Sequence, residues 1–422
     1  MRGAPSADAA VGMEVYVTDG APCTGRAKAL DSDFRVQEYL SLEGLQSERG
    51  EGYVPLYRVE KRGIDTMHLA KELAAVLKSR VSYGGLKDKR AHAVQYITPT
   101  SSRALSPARA SSEGWEATLE GFLPRPLSRG QVVANSFELI LRDCCSEVGE
   151  RANDALETSA GHRLPNFYGH QRFGLRGVGT HRVGREIVKG RFEEAVRLLL
   201  CEPRERDSSE AGEARQAFRE GRYEEGVGLL PRGQEEEASV ARALARRPGD
   251  WIGALRSVPV KLRRLYVQAY QSYLFNRTLS RALRSGLDIS SYESGDNWSR
   301  LGEDGLTLSR VGGVRDPPEQ GAVPMVQIPG FAIRDYGSRF DACLKEVLEE
   351  EGVTGGEFYV KEMLEASAEG GFRVPHLLVA GTSAESGPGT ATLKFTLAKG
   401  QYATVFIREV LKPADPANAG LA

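Results

Sequence analysis

The chain has 422 residues, more than one ordinary hydrophobic core supports, so two domains are expected. Hydrophobic residues make up 41 % and charged residues 27 %, the balance of an ordinary soluble protein, and no apolar run reaches the length of a membrane span. A net charge of −1 argues against a uniformly basic nucleic-acid binder, and five cysteines without ligand spacing argue against a zinc site or a disulfide framework and for a reducing cytoplasm.

Met1 to Gly12 lacks the hydrophobic block of a secretory signal and reads as a loose tail. Residues 13–60 read as short strands and turns, among them Asp33-Phe-Arg-Val-Gln-Glu38. Asp65 to Lys78 has Met67, Ala70, Leu73, Ala74 and Leu77 on one face, the pattern of an amphipathic helix, and Ala93 to Thr98 alternates like a strand. Thr100 to Arg129 reads as a long surface connection with a strand near Trp115 to Leu119; Gln131 to Arg142 alternates clearly, and Cys145 to Leu164 fits a helix.

From about residue 188 the pattern turns helical. Gly190-Arg-Phe-Glu-Glu-Ala-Val-Arg-Leu-Leu199 recurs as Gly221-Arg-Tyr-Glu-Glu-Gly-Val-Gly-Leu-Leu230, two copies, too few for a solenoid. The charged stretch Glu202 to Glu213 between them is expected to be exposed. A long helix is expected from Pro259 to Gly286 and another from Phe340 to Glu351, with loops marked by Gly312-Gly313 and Pro317-Pro318. Gly381 to Gly389 reads as a linker, Thr392 to Ile407 as two strands around Lys399-Gly400, and residues beyond Pro413 as disordered. Mixed α/β ends around a helical middle suggest one domain interrupted by another.

Two windows contain no acidic residue. Gly161 to Arg185 holds Arg163, Arg172, Arg176, Arg182 and Arg185; Trp251 to Leu287 holds seven Lys/Arg, including Arg263 and Arg264, interleaved with Trp251, Tyr266, Tyr270, Tyr273 and Phe275. Such segregation is the electrostatic footprint expected on RNA, with cations on phosphates and rings on bases, and equally the pattern of a partly buried helix with solvated arginines. His92, His162 and His170 lack the company of ligand-spaced carboxylates or cysteines and read as polar surface residues.

The segment Gly84-Gly-Leu-Lys-Asp-Lys89, continuing Arg90-Ala-His-Ala-Val-Gln95, carries the chemistry of interest. Paired glycines allow a sharp turn and a close approach, and Asp88 stands among Lys87, Lys89 and Arg90, which favour the charged carboxylate and welcome a polyanion. On spacing alone a solvated basic turn fits as well.

The segment resembles the motif of the nucleophilic aspartate in the TruD family of tRNA pseudouridine synthases, and five other stretches resemble that family in the same order. They are Lys28 with Asp33 to Glu38, Asn135-Ser-Phe137 with Arg142, Pro165-Asn-Phe-Tyr-Gly-His-Gln-Arg-Phe-Gly174, Gln271 to Asn276, and Lys399 to Thr404 with Arg408-Glu409. Ala134 replaces the usual glycine, and Phe167-Tyr168 inverts the usual ring order. Extra sequence at 100–130 and 205–250 is more like the longer archaeal and eukaryotic branch.

The resemblance implies a mixed α/β fold: a pseudouridine-synthase-like catalytic domain with a mixed, largely antiparallel sheet, interrupted by a mainly helical inserted TRUD domain. The expected division is catalytic residues 1–187 and 372–412, inserted residues 188–371, and a disordered tail 413–422. It implies isomerisation of uridine to pseudouridine in tRNA, at position thirteen of the D-stem, with Asp88 essential and no cofactor or metal. Lys28, Asn166 and Tyr168 are expected to support the site, Lys28 by keeping the carboxylate ionised, Asn166 by hydrogen bonding and Tyr168 by stacking on the flipped base. Lys87, Lys89, Arg90, Arg172, Arg263 and Arg264 are expected to bind RNA. The alternatives are an RNA-binding or RNA-folding protein on the same scaffold, and a glycosidase or N-glycosylase, which is disfavoured because only one carboxylate stands in a recognisable setting.

Overall fold

The structure, a computed structural model, describes residues 1–174, 179–204, 207–309 and 321–422. Arg176 and the pairs Gly312-Gly313 and Pro317-Pro318 lie outside the described residues. Nine strands form one sheet, in the order Val379–Gly387, Thr390–Ala398, Val132–Arg142, Phe34–Leu40, His92–Pro99, Val54–Lys61, Trp115–Leu123, Arg109–Ser112, with Val81–Tyr83 pairing His92–Pro99 off that path. Every pair in this sheet is antiparallel except Phe34–Leu40 with His92–Pro99, which runs parallel with Arg35 opposite His92.

Pairing places Val36, Phe137, Phe395, Ala93 and Val59 on one face of the sheet, because opposed residues point the same way. That face is covered in two places. Helix Thr66–Leu77, capped by the Asp65 carboxylate on the N–H groups of Met67 and His68, buries Leu69, Leu73 and Leu77 against Tyr57, Val59 and Ile97. Helices Val148–Ala160 and Ala403–Leu411 cover the other end, where Phe34, Phe137, Phe395 and Phe406 form a chain of ring contacts. The strand Phe34–Leu40 lies between the two covered regions.

The middle of the chain builds a second apolar cluster from helices Thr180–Val188, Phe192–Cys201, Ser209–Arg219, Glu235–Arg246, Val260–Arg284 and Arg339–Glu351. The two repeated sequences become Phe192–Cys201 and Tyr223–Leu229, on either side of Ser209–Arg219. Most described residues of the charged stretch between them are exposed, and Asp207 takes a bidentate contact from the buried guanidinium of Arg215. A three-stranded antiparallel sheet, Asn297–Arg300, Ala322–Ile328 and Gly371–Arg373, leads the chain back toward the large sheet.

Several expectations are corrected. Gly381 to Gly389 is largely strand Val379–Gly387; an edge strand with no buried residue carries little apolar pattern, and a register shift at Ala380/Ser383 breaks the alternation. The second strand expected after Gly400 is helix Ala403–Leu411, all nine of whose residues are buried, so its apolar run has no period to read. Both ends of the chain are packed: Asp8 is fully buried, and beyond Pro413 Ala419 and Leu421 are buried as well. Cys23 and Cys145 form a disulfide, against the expectation of none; 122 residues separate them, and only the fold brings their Cα atoms to 5.5 Å.

Gly184 marks a close helix contact, since a β-carbon there would collide with the backbone carbonyl of Tyr266 in the long helix. Gly184→Ala is expected to cost about 1–3 kcal/mol or more in urea unfolding. Gly212→Ala, on a helix with open space around it, is expected to gain roughly 0.5–1 kcal/mol.

Candidate active site

The parallel strand pair decides where the site forms. In a parallel pair both chains enter at the same end of the sheet, so the loop ending before Phe34 and the loop ending before His92 are neighbours. Lys28 comes from the first and Asp88 from the second, and Lys28 Nζ lies 2.7 Å from Asp88 Oδ2. The Asp88 side chain keeps 54 % of its surface exposed while that of Lys28 keeps 16 %, so the carboxylate faces solvent and the ammonium is the wall behind it. The same ammonium sits 4.5 Å above the Phe34 ring.

Both loops are tied down. Asp33 takes two hydrogen bonds from the Arg142 guanidinium (2.7 and 2.8 Å) and one from the Leu30 N–H, and the Arg142 contact holds its carboxyl below the ordinary carboxylate value. Arg90 donates to Asp31 at 3.2 Å and to the Lys28 carbonyl at 3.3 Å. Lys28 itself occupies the left-handed region (φ 57°), a conformation kept only where the surroundings enforce it.

Under Asp88 the polar residues are buried. Lys61 Nζ donates to the Asp88 carbonyl at 2.6 Å and to the Ile64 carbonyl at 2.8 Å. Burial pushes the Lys61 ammonium down to about 8, against a smaller opposing pull from Asp88. Lys87 turns inward, its ammonium 2.8 Å from the buried Glu38 carboxylate, while its backbone N–H donates to Thr66 Oγ1. Gly84 is required because a β-carbon there would strike Val132. Asn135, opposite Glu38 in the neighbouring strand, has a buried side-chain oxygen with no partner.

Asn166 and Tyr168 form a second group around Arg373. The Asn166 amide donates to the Val374 carbonyl at 3.0 Å and its oxygen accepts from Arg373, so both ends are engaged within the protein rather than offered to Asp88 or a base. Arg373 also lies 4.2 Å over the Tyr168 ring, which meets Phe275 and Tyr402 edge-on. Asn276 clasps the Tyr168 backbone, accepting from its N–H and donating to its carbonyl. Among the described residues, no direct hydrogen bond, ion pair or ring contact joins this group to Lys28 and Asp88.

The cations expected to meet RNA divide sharply. Lys89 is exposed and Arg264 is exposed with one donation to the Glu365 carbonyl. Arg172 donates to Ser272 and Gln268 beside Tyr168. Lys87 is instead committed to Glu38, and Arg263 is buried against Glu365 and the Val258 carbonyl. Much of the second basic window is neutralised from elsewhere: Arg277 and Arg281 pair with glutamates of Arg339–Glu351, Arg284 with Glu14, and Arg256 with Glu365. Its rings are mostly core; Tyr266, Tyr270 and Phe275 are buried. His170 is likewise internal, 2.7 Å from Asp8.

Sequence reasoning did not single out Arg373, Lys61 or Asn135 as site residues. Asn135 stood inside a quoted motif; Arg373 and Lys61 carried no local signal, since Arg373 meets Asn166 207 residues away and Lys61 meets Asp88 27 residues away. Among the described residues no group of three or more His, Cys, Asp or Glu side chains could hold a metal ion, and no helix is long and apolar enough to cross a membrane.

Comparison with known proteins shows the family of the chain. The family model described as tRNA pseudouridine synthase D (TruD) matches residues 10–410. A probable tRNA pseudouridine synthase D of Pyrobaculum arsenaticum is 33 % identical and aligned over 100 % of both chains. One of Methanopyrus kandleri is 35 % identical over 86 % of each. The crystal structure of a putative tRNA pseudouridine synthase D (TruD) from Methanosarcina mazei superposes with a TM-score of 0.79 at 28 % identity, covering 98 % of this chain and 99 % of that one. The chain belongs to the TruD family, the tRNA pseudouridine synthases D.

Lys61 yields a signed pH prediction. On unfolding its value rises from about 8 to the ordinary 10.5, so the chain takes up a proton and stability rises with pH across that window. Calorimetric unfolding in buffers of different ionisation heat is expected to show this uptake in the wild type and not in Lys61→Met.

Proposed function

We propose that this protein isomerises uridine to pseudouridine in tRNA, at position thirteen of the D-stem, with Asp88 as the essential group and no cofactor. The observation that carries the reading is the half-exposed Asp88 carboxylate held 2.7 Å from Lys28 in the motif shared with the family. The reaction breaks the bond from N1 of uracil to the ribose, rotates the base and joins carbon 5 to the same ribose carbon; the proton on carbon 5 is released and N1 takes up one from solvent. A carboxylate serves by adding to the base or sugar, or by removing the proton that opens a glycal route.

The target base leaves its stack before it reaches Asp88, at a cost of a few kcal/mol. Asn135 offers a buried acceptor without a partner, suited to the N–H of a uracil edge. Tyr168, its ring covered by Arg373, is assigned to stack on the flipped base, and Lys89, Arg172 and Arg264 supply cations for phosphates. We assign residues 1–187 and 372–412 to the catalytic part and 188–371 to the inserted TRUD part, and place the protein in the cytoplasm with its tRNA.

Asp88→Asn separates catalysis from RNA binding or folding on the same scaffold. Tritium release from tRNA labelled at uracil carbon 5 is expected to fall at least about a hundred-fold, with tRNA still retained on filters. Unchanged release would remove Asp88 from the mechanism, and modification mapped to another nucleotide would replace position thirteen. Arg373→Lys keeps the charge but loses the planar contact with Tyr168 and the reach to Asn166; kcat is expected to drop about ten-fold with little change in KM.

A further inference from the structure

The last residues of the chain touch both groups of the site. On one side the Ala27 N–H donates to the Ala419 carbonyl at 2.9 Å. Gly420, with φ 74°, lies so close that any β-carbon there would strike the Ala27 carbonyl. Ala27 immediately precedes Lys28, so this contact follows the main-chain bonds that Arg26 makes with Arg142 and comes last before the strained residue that faces Asp88. On the other side the Leu421 carbonyl accepts from Gln171 Nε2 at 3.1 Å. Gln171 belongs to the loop that carries Asn166, Tyr168 and Arg172, and its own oxygen accepts from Thr404 at 3.0 Å.

The segment is built to hold this shape. Asp415 accepts from the N–H groups of Ala417 and Asn418 through its side chain and from Ala419 through its carbonyl, and the Leu421 N–H closes onto Pro416. Ala419 and Leu421 are buried although the segment around them is short and small-residued. A tail with no role in positioning needs neither a self-capped turn nor hydrogen bonds to two separate loops.

We infer that residues 415–421 act as a positioning latch, clasping the loop of Lys28 to the loop of Tyr168 so that both face one substrate. A left-handed lysine persists only while its neighbours enforce it, and the Ala27–Ala419 bond is part of that enforcement. The inference deepens the isomerase reading and rests on it. Releasing the latch loosens the relative placement of the two loops without removing any group that meets phosphate, so it acts on kcat rather than on tRNA affinity.

The test compares the full chain with a chain ending at Pro413 and with Gly420→Val, in which a branched side chain at positive φ drives into Ala27. Both are expected to lower kcat about ten- to a hundred-fold while tRNA retention on filters and KM stay unchanged. Hydrogen exchange is expected to quicken in residues 24–30 and 165–174 and to stay as in the full chain in helix Thr66–Leu77. Should the shortened chain fail to fold, Gly420→Val decides. Unchanged kcat together with unchanged exchange in the two loops overturns the latch. A loss shared equally by KM, filter retention and exchange throughout the protein overturns it too, as a general folding defect. The exchange measurement keeps this outcome apart from a failure of Asp88→Asn, which would sink the isomerase reading and leave the loop coupling measurable.

Discussion

One parallel pairing in an otherwise antiparallel sheet organises this molecule. Because Phe34–Leu40 and His92–Pro99 run the same way, the loops that enter them emerge side by side, and a lysine and an aspartate 60 residues apart come within hydrogen-bond distance. A parallel pair needs a crossover, and the chain supplies it through strand Val54–Lys61 and helix Thr66–Leu77, whose burial covers one half of the sheet face. The crossover also delivers Lys61 beneath Asp88 and Thr66 beneath Lys87. Fold and site are therefore one construction, in which the connection that makes the pairing possible supports the carboxylate it creates.

The six stretches resembling the family are separate in sequence and joined in space. Asp33 meets Arg142, Lys28 meets Asp88, Lys87 meets Glu38, Asn276 holds Tyr168, and Thr404 meets Gln171. Several of these are charged groups bonded across long chain separations, which costs desolvation and is tolerable only where each partner is satisfied. Arg373, at the end of strand Gly371–Arg373, closes the second group by holding Asn166 and covering Tyr168. Asn166 and Arg373, 207 residues apart in sequence, are thereby fixed to one another.

Charge shows why linear windows mislead. A stretch without acids looks like a surface for polyanions, yet Arg277, Arg281 and Arg284 meet Glu351, Glu350, Glu346 and Glu14, all outside that stretch. The same applies to the rings of the long helix, which lie in the core because the helix is covered on several sides. Of the cations expected to meet RNA, Lys89 is exposed, whereas Arg172 donates to Ser272 and Gln268 beside Tyr168.

Local periodicity was enough for helix Thr66–Leu77, with its Asp65 cap, and for strand Val132–Arg142, because in each the side chains alternate between core and solvent at a definite period, while the long helix Val260–Arg284 was marked by its start at Pro259 and stop at Gly286. It failed at Ala403–Leu411, buried on every side, and at edge strand Val379–Gly387, mostly exposed, since neither has two contrasting faces. The motif around Asp88 and the family resemblance named the acid and its lysine from the chain alone. Which cations remain free, that Asn166 is engaged within the protein, that Cys23 finds Cys145, and that the chain's end clasps two loops were settled only by tertiary structure. These are contacts between residues far apart in sequence, and a one-dimensional pattern records what a residue can do, not which partner folding puts beside it.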